Sequence, residues 1–381
     1  MNILFVIVST VPFGPNDRLA YKGAEELLRL GHKVLVSPWD WGDQNAPEYE
    51  QIRSKGALLA MRDRHERSDN FFLRQLQKVR NRLKDPVTEW QFVDQFRPDA
   101  IIVSDPATYH FLSVPGLFEF LKECDVPFFI ISNYNDENAY PSEHIYRRAR
   151  GVFAKARRCF FLSRRNLDVA RRQLCYDLPR SLVVHPPPNM SNWNYLPYPK
   201  SDRSRYCMVA RLECAVKGQA LVFQVLSEPG WRERDWSLSI FGKGPDEAYL
   251  RDLIEYLKLG EKVHMCGFAD DLRCVWNSQQ ILIMASSGEG GPMALSEAML
   301  CGRPAVVTDV GFAIELVNDG VTGFVAQSAT LASLRDALER SWVERNFWEE
   351  MGVRAHDWAF RDLDPSPGNV FARAIVDAMS T

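Results

Sequence analysis

The sequence predicts an α/β protein made of two doubly wound domains, each a parallel sheet covered by helices on both faces. Short apolar runs rich in β-branched residues alternate with amphipathic helical segments along the chain, and such strands are typical of parallel sheets buried on both sides. The chain has 381 residues, 46% of them hydrophobic and 25% charged, which favours two globular domains over one. The alternation breaks at one segment rich in Pro, Asn and Ser.

That break, HPPPNMSNWNYLPYPKSDRSR at residues 185–205, predicts the domain boundary because Pro, Asn and Ser interrupt regular elements. We expect a Rossmann-like N-terminal domain over 1–195 and a Rossmann-like C-terminal domain over 196–362, facing each other across a cleft. We expect the last helix, in 363–381, to pack back on the N-terminal domain. Ligands of doubly wound sheets bind at the carboxyl ends of the strands, so we expect the site there.

Charge and cysteine content disfavour several classes of protein. The net charge is −3, so no overall field attracts nucleic acid, and we expect no nucleic-acid partner. The eight cysteines form no C-x-x-C pair, which disfavours a zinc site and indicates reduced thiols in a cytoplasmic protein. No apolar run approaches the roughly 20 residues that span a bilayer. The apolar start MNILFVIVSTVPFG is expected to be a buried strand rather than a signal peptide.

Positive charge is concentrated in two stretches of the first half. Residues 144–174 hold ten Arg and Lys against one Asp, and residues 61–85 are also predominantly basic. Two interpretations stay open: a solvated helix face, or a surface that faces an anionic membrane or a phosphorylated acceptor. The second interpretation predicts peripheral contact of a cytoplasmic protein with the inner face of the membrane.

The stretch SSGEGGPMALSEAML, residues 286–300, predicts an anion-binding turn. It follows the strand-like run ILIMA, and Pro292 suits the first turn of the helix that comes next. Gly290 and Gly291 allow backbone amides to approach a ligand closely, and the helix end offers free N–H groups and partial positive charge. A diphosphate fits such a turn.

Two glutamates frame this turn and the helix after it. Glu289 lies beside the turn, where its carboxylate is a poor phosphate ligand but a good acceptor for sugar hydroxyls. Glu297 lies more than one helical turn further on, where a carboxylate can accept two hydrogen bonds from a ribose diol. The spacing matches the length of a nucleotide sugar. The alternative is an ordinary acid at a helix start followed by a surface residue.

Three further strand ends carry suitable chemistry. RYCMVARLECAVKG places Arg211 and Lys217 at a strand-to-helix turn, where two fixed cations can neutralise a departing diphosphate; the alternative is a pair of surface cations. IFGKGP places Gly242 and Gly244 in a second turn, and HMCGF places Phe268 where a base can stack. A lone G-x-G is weak, but four such turns in order are much stronger. Because no metal-ligand cluster is visible, we expect no metal and no other cofactor.

Residues 206–326 resemble the donor-binding domain of the retaining GT-B glycosyltransferases, in the large family numbered 4, also called glycosyltransferase group 1. The motif E-x7-E is met by Glu289 and Glu297. The other matches are R-L…K-G at Arg211-Leu212 and Lys217-Gly218, G-x-G-P at Gly242 and Gly244-Pro245, and the tail element GFAIELVNDGVTGF at 311–324. The first half resembles the family only in outline.

This resemblance implies an enzyme, a metal-independent hexosyltransferase that retains anomeric configuration. It implies that Glu289 contacts the transferred sugar, Glu297 the ribose, and Arg211 and Lys217 the diphosphate. The donor would be a UDP- or GDP-sugar bound by the C-terminal domain. The acceptor, a glycan or a lipid-linked molecule, would bind the N-terminal domain. Polysaccharide biosynthesis is the expected context.

Two loops of the first half depart from the family pattern. The family usually has a Gly-Gly pair before the first helix, whereas this sequence has Gly14 alone, followed shortly by Arg18, which offers a charge instead. Many members carry His-Asp after the strand PFFIIS, whereas this sequence continues SNYNDENAYPSEH. Either Asn135 or Asp136 contacts the 6-hydroxyl of the sugar, or that contact is absent. A polar loop with Asx turns is the alternative.

Three other functions stay open on the sequence alone. A nucleotide-sugar epimerase or hydrolase shares the fold and the donor. A non-catalytic module that binds a nucleotide sugar fits the missing His-Asp element. A nicotinamide oxidoreductase is the weakest alternative, since neither half opens with G-x-G-x-x-G after its first strand.

Overall fold

A computed structural model describes residues 1–9, 11–14, 17–42, 46–63, 90–190 and 192–380. The chain divides into two compact units. Unit 1 comprises Met1–Pro187 and Pro365–Thr381, and unit 2 comprises Pro188–Asp364. The division at 187/188 and the boundary expected at 195/196 both fall within the Pro- and Asn-rich segment.

Unit 1 is built on parallel strands. Its strands are β1 (Asn2–Ile7), β2 (Lys33–Ser37), β3 (Trp39–Asp40), β4 (Leu58–Leu59), β5 (Arg62–Asp63), β6 (Ala100–Asp105), β7 (Phe128–Ser132), β8 (Arg158–Phe161) and β9 (Ser181–Val183). Among the described residues, seven of them form one sheet in the order β4-β2-β1-β6-β7-β8-β9, and β3 pairs with β5. The central strand β1 sends Ile3 and Phe5 to one buried face and Leu4 and Val6 to the other, as the twofold period of a strand requires.

Helices cover both faces of this sheet. They are α1 (Arg18–Arg29), α2 (Pro47–Ser54), α3 (Gln91–Phe96), α4 (Leu117–Glu123), α5 (Glu143–Lys155), α6 (Arg164–Leu174) and α16 (Pro367–Ser380), with a 3₁₀ turn at His110–Ser113. The last helix, α16, packs on α1 because Gly23 leaves room for the ring of Phe371. That ring also packs on Phe160, with 4.5 Å between ring centroids.

Unit 2 repeats the architecture with a different set of loops. Its strands are β10 (Ser204–Val209), β11 (Trp236–Phe241), β12 (Val263–Gly267), β13 (Ile281–Met284), β14 (Ala305–Thr308) and β15 (Gly323–Ala326). Its helices are α7 (Cys214–Lys217), α8 (Gln219–Leu226), α9 (Pro229–Arg232), α10 (Glu247–Tyr256), α11 (Leu272–Ser278), α12 (Met293–Leu300), α13 (Ala313–Leu316), α14 (Leu331–Val343) and α15 (Trp348–Asp362), with a 3₁₀ turn at Arg345–Phe347.

The strand order of unit 2 is β12-β11-β10-β13-β14-β15, and the paired strands run parallel. This is the doubly wound order in which the direction of winding reverses next to the first strand. The reversal lies between β10 and β13, so the loops after these two strands start at the same edge of the sheet. The predicted α/β class with parallel sheets is confirmed.

The basic stretch at 144–174 is used largely within unit 1. Arg157 and Arg158 donate to carbonyl oxygens near the end of α16, and Lys155 donates to the carbonyls of Lys122 and Cys124. The other basic stretch, 61–85, lies outside the described residues from position 64 onward. In the part of the chain that the structure describes, no helix combines the length and the apolar character needed to cross a bilayer.

Candidate active site in unit 2

The loops at the carboxyl ends of β10, β11 and β13 are joined by backbone hydrogen bonds. The N–H of Leu212 donates to the carbonyl of Lys243 at 3.1 Å, and the N–H of Ser287 donates to the carbonyl of Val216 at 2.8 Å. These bonds connect the turn that carries Arg211 to the turns on either side of it. The predicted strand-end turns therefore form one continuous surface within unit 2.

Glycines allow these turns to approach so closely. A Cβ at Gly218 would collide with the carbonyl of Ala285, and one at Gly242 would collide with the carbonyl of Ala210. Both glycines also adopt positive φ, +69° and +147°, which disfavours any side chain. Gly244 is packed just as closely against the backbone of the first turn. Glycine at these positions is a packing requirement.

Glu289 is the centre of a small polar cluster. The ammonium of Lys217 lies 2.6 Å from Oε1 of Glu289, and the hydroxyl of Ser286 donates to the same oxygen at 2.7 Å. The hydroxyl of Thr308 in turn donates to the carbonyl of Ser286 at 2.6 Å. Within the described residues both side-chain donors bind Oε1, which leaves Oε2 to accept a hydrogen bond from a ligand. The side chains of Lys217 and Glu289 are 22% and 12% exposed, so the pair is screened only in part from solvent.

Gly311 lies in the segment after β14 and packs against the backbone of Glu289. A Cβ at Gly311 would lie 2.7 Å from the carbonyl oxygen of Glu289 and 3.1 Å from its Cβ. Gly311 has a φ of +56°, so any other residue would be strained there even without the contact. This packing restricts where the carboxylate of Glu289 can point.

Arg211 is held by its backbone and keeps an accessible side chain. The side-chain amide of Gln219 donates to the carbonyl of Arg211 at 2.8 Å. The guanidinium is 51% exposed and lies 3.6 Å from the carboxylate of Glu213. A solvated pair of this kind is weak, so an anionic ligand can compete for the guanidinium.

Glu297 is buried in α12 and is only 2% exposed. Its Oε1 accepts a hydrogen bond of 2.8 Å from the backbone N–H of Asn189, in the segment where unit 2 begins. Pro292 is the N-cap residue that directly precedes α12. Gly290 is buried and Gly291 half-buried in the turn before it.

Phe268 follows β12 and is 63% exposed. It comes directly after Gly267, whose carbonyl accepts a hydrogen bond of 2.8 Å from the N–H of Gly242. An exposed ring beside an anchored turn is free to stack on a planar group.

The first loop of unit 1 is organised around a buried carboxylate. Asp17 is 2% exposed, and it accepts hydrogen bonds from the hydroxyl of Ser9 and, at 2.9 Å, from the N–H of Gly14. Burial raises the pKa of Asp17 to about 6. The N–H of Gly14 is thus used inside the loop. Arg18 begins α1, with its guanidinium 5.9 Å from the ring centroid of Phe13.

The loop after β7 is a polar loop with an Asx turn. Asn135 is 3% exposed, and its Oδ1 accepts a hydrogen bond of 2.8 Å from the hydroxyl of Ser132. The carboxylate of Asp136 accepts from the N–H of Asn138 at 3.0 Å, and the N–H of Asp136 donates to the hydroxyl of Thr108 at 2.7 Å. Asn135 and Asp136, the two candidates for the 6-hydroxyl contact, thus both make hydrogen bonds within unit 1.

Of the predicted site residues, Lys217 and Glu289 are brought into direct contact. Three further residues were not predicted, namely Ser286, Gly311 and Asp17. Ser286 lies three residues before Glu289, a spacing that allows a local hydrogen bond to the carboxylate. Asp17 lies three residues after Gly14, a spacing that allows a local hydrogen bond from the Gly14 N–H to the carboxylate. Gly311 opens the tail motif, but its contact with Glu289 depends on tertiary structure.

Candidate metal ligands were sought among the described residues. No group of three or more His, Cys, Asp or Glu side chains within those ranges is arranged to hold a metal ion.

Residues 198–357 match the family model of glycosyl transferases group 1. The match lies within unit 2 and includes the cluster around Glu289. An exopolysaccharide phosphotransferase of Streptomyces coelicolor is 31% identical over 145 residues, which cover 38% of this chain and 15% of that protein. The alpha-D-kanosaminyltransferase of Streptomyces kanamyceticus is 28% identical over 160 residues, 42% of this chain and 41% of that protein. The matched segment thus spans less than half the length of these curated relatives.

The similarity in fold extends over both units. The HepE protein of Anabaena, solved in complex with UDP, matches 99% of this chain and 100% of that protein, with a TM-score of 0.72 and 18% sequence identity. Further structures of that protein contain UDP with glucose, or UDP-glucose. The family model therefore shows similarity to the group 1 glycosyltransferases over residues 198–357, less than half of the chain. The solved structures show that the two-unit α/β fold is shared over 99% of the chain.

Proposed function

We propose that this protein is a retaining glycosyltransferase, which moves a hexose from a UDP- or GDP-sugar to a glycan or lipid-linked acceptor without a metal ion. The observation that carries the proposal is the cluster around Glu289. A carboxylate held on one oxygen by Lys217 and Ser286 presents its other oxygen as an acceptor for a sugar hydroxyl. This cluster lies in the segment that matches the family model.

The donor binds along the strand-end turns of unit 2. Arg211 and Lys217 neutralise the diphosphate, and the turn at Gly290 and Gly291 approaches it with backbone amides. Glu297 accepts hydrogen bonds from the ribose, and Phe268 stacks on the base. The UDP and UDP-glucose in the structures of the Anabaena protein support a nucleoside diphosphate sugar as the donor.

The chemical step proceeds on one face of the sugar. The bond between the sugar C1 and the diphosphate oxygen breaks, and the acceptor oxygen forms its bond to C1 on the same face. The acceptor proton passes to the departing phosphate oxygen, so no enzyme nucleophile is needed. Arg211 and Lys217 stabilise the charge that develops on the leaving group, and preorganised groups aimed at developing charge give the largest catalytic effects. Glu289 holds the hexose hydroxyls during the step.

The acceptor binds unit 1. The relative from Streptomyces coelicolor bears a name that concerns exopolysaccharide, which supports a glycan acceptor and a role in polysaccharide biosynthesis. Peripheral contact with the inner face of an anionic membrane, through the basic helices of unit 1, is the further part of this proposal. Four of the ten basic residues at 144–174 are paired with acidic side chains, namely Arg147, Arg148, Arg165 and Arg171.

A thermal-shift panel of nucleoside diphosphates and their sugars, with and without a chelator, tests the donor proposal. We expect one diphosphate and its sugar to raise the melting temperature selectively, by an amount that the chelator does not change. A shift that disappears with the chelator would refute the metal-free mechanism. A panel without any shift would refute the donor site.

A second assay tests the type of reaction. Incubation with the donor alone separates a transferase from an epimerase or hydrolase of the same fold, because only the latter two convert the donor rapidly without an acceptor. Binding of donor with no turnover on any acceptor of a glycan and lipid-linked panel would indicate a non-catalytic module instead.

A further inference from the structure

The loop after β7, residues 133–142, is fastened to unit 1 by side chains from other elements. The amide of Gln173 on α6 donates to the carbonyls of Asp136 at 2.7 Å and Ala139 at 2.8 Å. The hydroxyl of Tyr109 donates to Oε1 of Gln173 at 3.0 Å, which fixes the orientation of that amide. A loop without regular structure therefore has a defined backbone.

A second set of contacts fixes the same loop. Glu137 forms a two-pronged ion pair with Arg165 of α6, with N–O distances of 3.0 and 3.1 Å. Both side chains are less than one-third exposed. The hydroxyl of Thr108 accepts a hydrogen bond from the N–H of Asp136, which connects the loop to the segment after β6. Contacts within unit 1 therefore order this loop without a ligand.

Tyr140 follows the last of these fixed residues and is 92% exposed. Single exposed apolar side chains are common on protein surfaces and carry no meaning alone. The distinguishing feature of Tyr140 is its place on a preorganised loop at the carboxyl edge of a parallel sheet, where ligands of such sheets bind. A tyrosine on an ordered backbone has only two side-chain torsions to fix on binding, so the loss of conformational entropy is small.

The chemistry of the loop favours a neutral ligand. Its sequence, NYNDENAYPS, contains no Lys or Arg, and one of its two acids, Glu137, is already paired with Arg165, so the loop itself offers no cation to a phosphate group. The exposed aromatic face of Tyr140 suits a sugar ring, whose C–H groups pack on the electron-rich face.

We propose that Tyr140 stacks on a neutral sugar residue of the acceptor. This inference rests on the proposed glycosyltransferase function, and it specifies the class of acceptor group that unit 1 recognises. Tyr140 acts in acceptor binding and takes no part in holding the donor.

Binding of the full chain to an array of neutral, acidic and phosphorylated glycans tests this inference. Four proteins are compared: wild type, Tyr140→Ala, Tyr140→Trp and Tyr256→Ala. Tyr256 ends α10 of unit 2 and is 80% exposed, so its substitution is a matched control for the loss of an exposed tyrosine. We expect Tyr140→Ala to weaken binding to neutral glycans about tenfold, with near wild-type binding in Tyr140→Trp and Tyr256→Ala.

Three results would overturn the inference: equal binding by Tyr140→Ala and wild type, binding of wild type to phosphorylated glycans alone, or binding of wild type to no glycan. Thermal shifts with UDP and GDP, measured on the same four proteins, distinguish this failure from failure of the proposed function. If neither UDP nor GDP raises the melting temperature of wild type, the proposed donor site is contradicted. An unchanged shift in Tyr140→Ala shows that the variant is folded and that its defect concerns the acceptor.

Discussion

The two units share a parallel doubly wound sheet but differ in how the loops at the carboxyl edge are held. In unit 2, neighbouring turns are joined backbone to backbone, and glycines such as Gly218 and Gly242 make the approach possible. In unit 1, the corresponding loops are held by buried polar side chains, with Asp17 in the first loop and Asn135 after β7. The loops of unit 2 are therefore held by close backbone contacts at glycines, and the loops of unit 1 by hydrogen bonds to buried polar side chains.

This difference explains why unit 2 is the more recognisable half. Contacts that require glycine, and a cation and a carboxylate at fixed spacing, leave short motifs in the sequence. Polar side chains that hold a loop can be replaced by many other combinations of residues. In agreement with this, the family model matches residues 198–357, whereas similarity in fold covers 99% of the chain at 18% identity. Under the proposed function, unit 2 binds the donor and unit 1 the acceptor.

Removal of the Lys217 ammonium is expected to have the largest effect. Lys217→Ala deletes the cation proposed to stabilise the leaving diphosphate and also leaves the carboxylate of Glu289 without its ion-pair partner. Loss of one preorganised group of this kind costs on the order of 10²–10³ in kcat. Initial rates of nucleotide release with a saturating acceptor measure the effect.

The matched control for this variant is Arg251→Ala. Arg251 forms a surface ion pair with Glu247 on α10, in the same unit but outside the strand-end turns. We expect its rate to stay within twofold of wild type, since exposed pairs contribute little. A loss of less than threefold in Lys217→Ala would contradict the assigned role of the ammonium.

Substitution of Gly218 tests the glycine contacts that set unit 2 apart. Gly218→Ala introduces a Cβ that collides with the carbonyl of Ala285, and Gly320→Ala places one in open space at a similar φ, +73°. The positive φ costs each variant about 1–2 kcal/mol, and the collision adds about 1–3 kcal/mol to the first. We expect the melting temperature to fall by about 2–8 °C in Gly320→Ala and clearly further in Gly218→Ala.

Nucleotide affinity gives the second measurement on this pair. Gly218→Ala displaces the turn that carries Lys217, so we expect it to lose the thermal shift with the donor diphosphate, while Gly320→Ala retains it. Equal melting temperatures and equal nucleotide shifts would mean that the close approach at Gly218 is dispensable.

The sequence predicts much of unit 2 because its signals are local. Glu289 lies just before a predicted helix and Glu297 lies within it, and glycines follow several of the predicted strands. These local patterns indicate turns at the strand ends, where backbone N–H groups can bind an anion. The parallel α/β class follows from the apolar strands in the same way. What the spacing of the glutamates does not give is the partner of each carboxylate. Glu297 accepts a hydrogen bond from the N–H of Asn189, a contact between residues far apart in the chain.

Unit 1 shows more clearly which structural features cannot be predicted from the sequence. Asp17 appears in the sequence as one acid before a helix, and only the tertiary structure shows that it is buried and accepts hydrogen bonds from Ser9 and Gly14. The ordered backbone before Tyr140 likewise depends on Gln173 of α6, which donates to the carbonyl of Ala139. Burial and long-range hydrogen bonds leave no periodic pattern, so neither feature is predictable from spacing.

The buried carboxylate of Asp17 predicts a pH dependence that is specific to unit 1. Burial raises its pKa from 3.8 to about 6, so the folded protein binds the proton more tightly than the unfolded chain does. The free energy of unfolding therefore decreases as pH rises from about 4 to about 6, and this loss persists at higher pH. The amide introduced by Asp17→Asn cannot ionise, so the stability of wild type relative to this variant should decrease over this range by up to about 3 kcal/mol.

Thermal midpoints of both proteins at pH 4.5 and 7.5 measure this change. Groups that titrate alike in both proteins, including the buried Asp105, cancel in the difference. Asp125→Asn removes an exposed acid of the same unit and controls for the loss of one negative charge. A difference between wild type and Asp17→Asn that stays constant across the two pH values would mean that Asp17 has no raised pKa.

The smallest expected effect concerns Phe268, the aromatic ring at the edge of the proposed donor site. Phe268→Ala removes the ring proposed to stack on the base, while Phe347→Ala removes a phenylalanine of similar exposure, 55% against 63%, from the turn after α14. Stacking of a base on an aromatic side chain contributes about 1–3 kcal/mol, so we expect the Kd for the donor diphosphate to rise about tenfold in Phe268→Ala and to stay unchanged in Phe347→Ala. Isothermal titration with the nucleoside diphosphate and with inorganic pyrophosphate separates the two parts of the site. A loss of affinity for the nucleotide alone assigns the ring to the base, whereas an equal loss for pyrophosphate would show that Phe268 only supports the turn after β11.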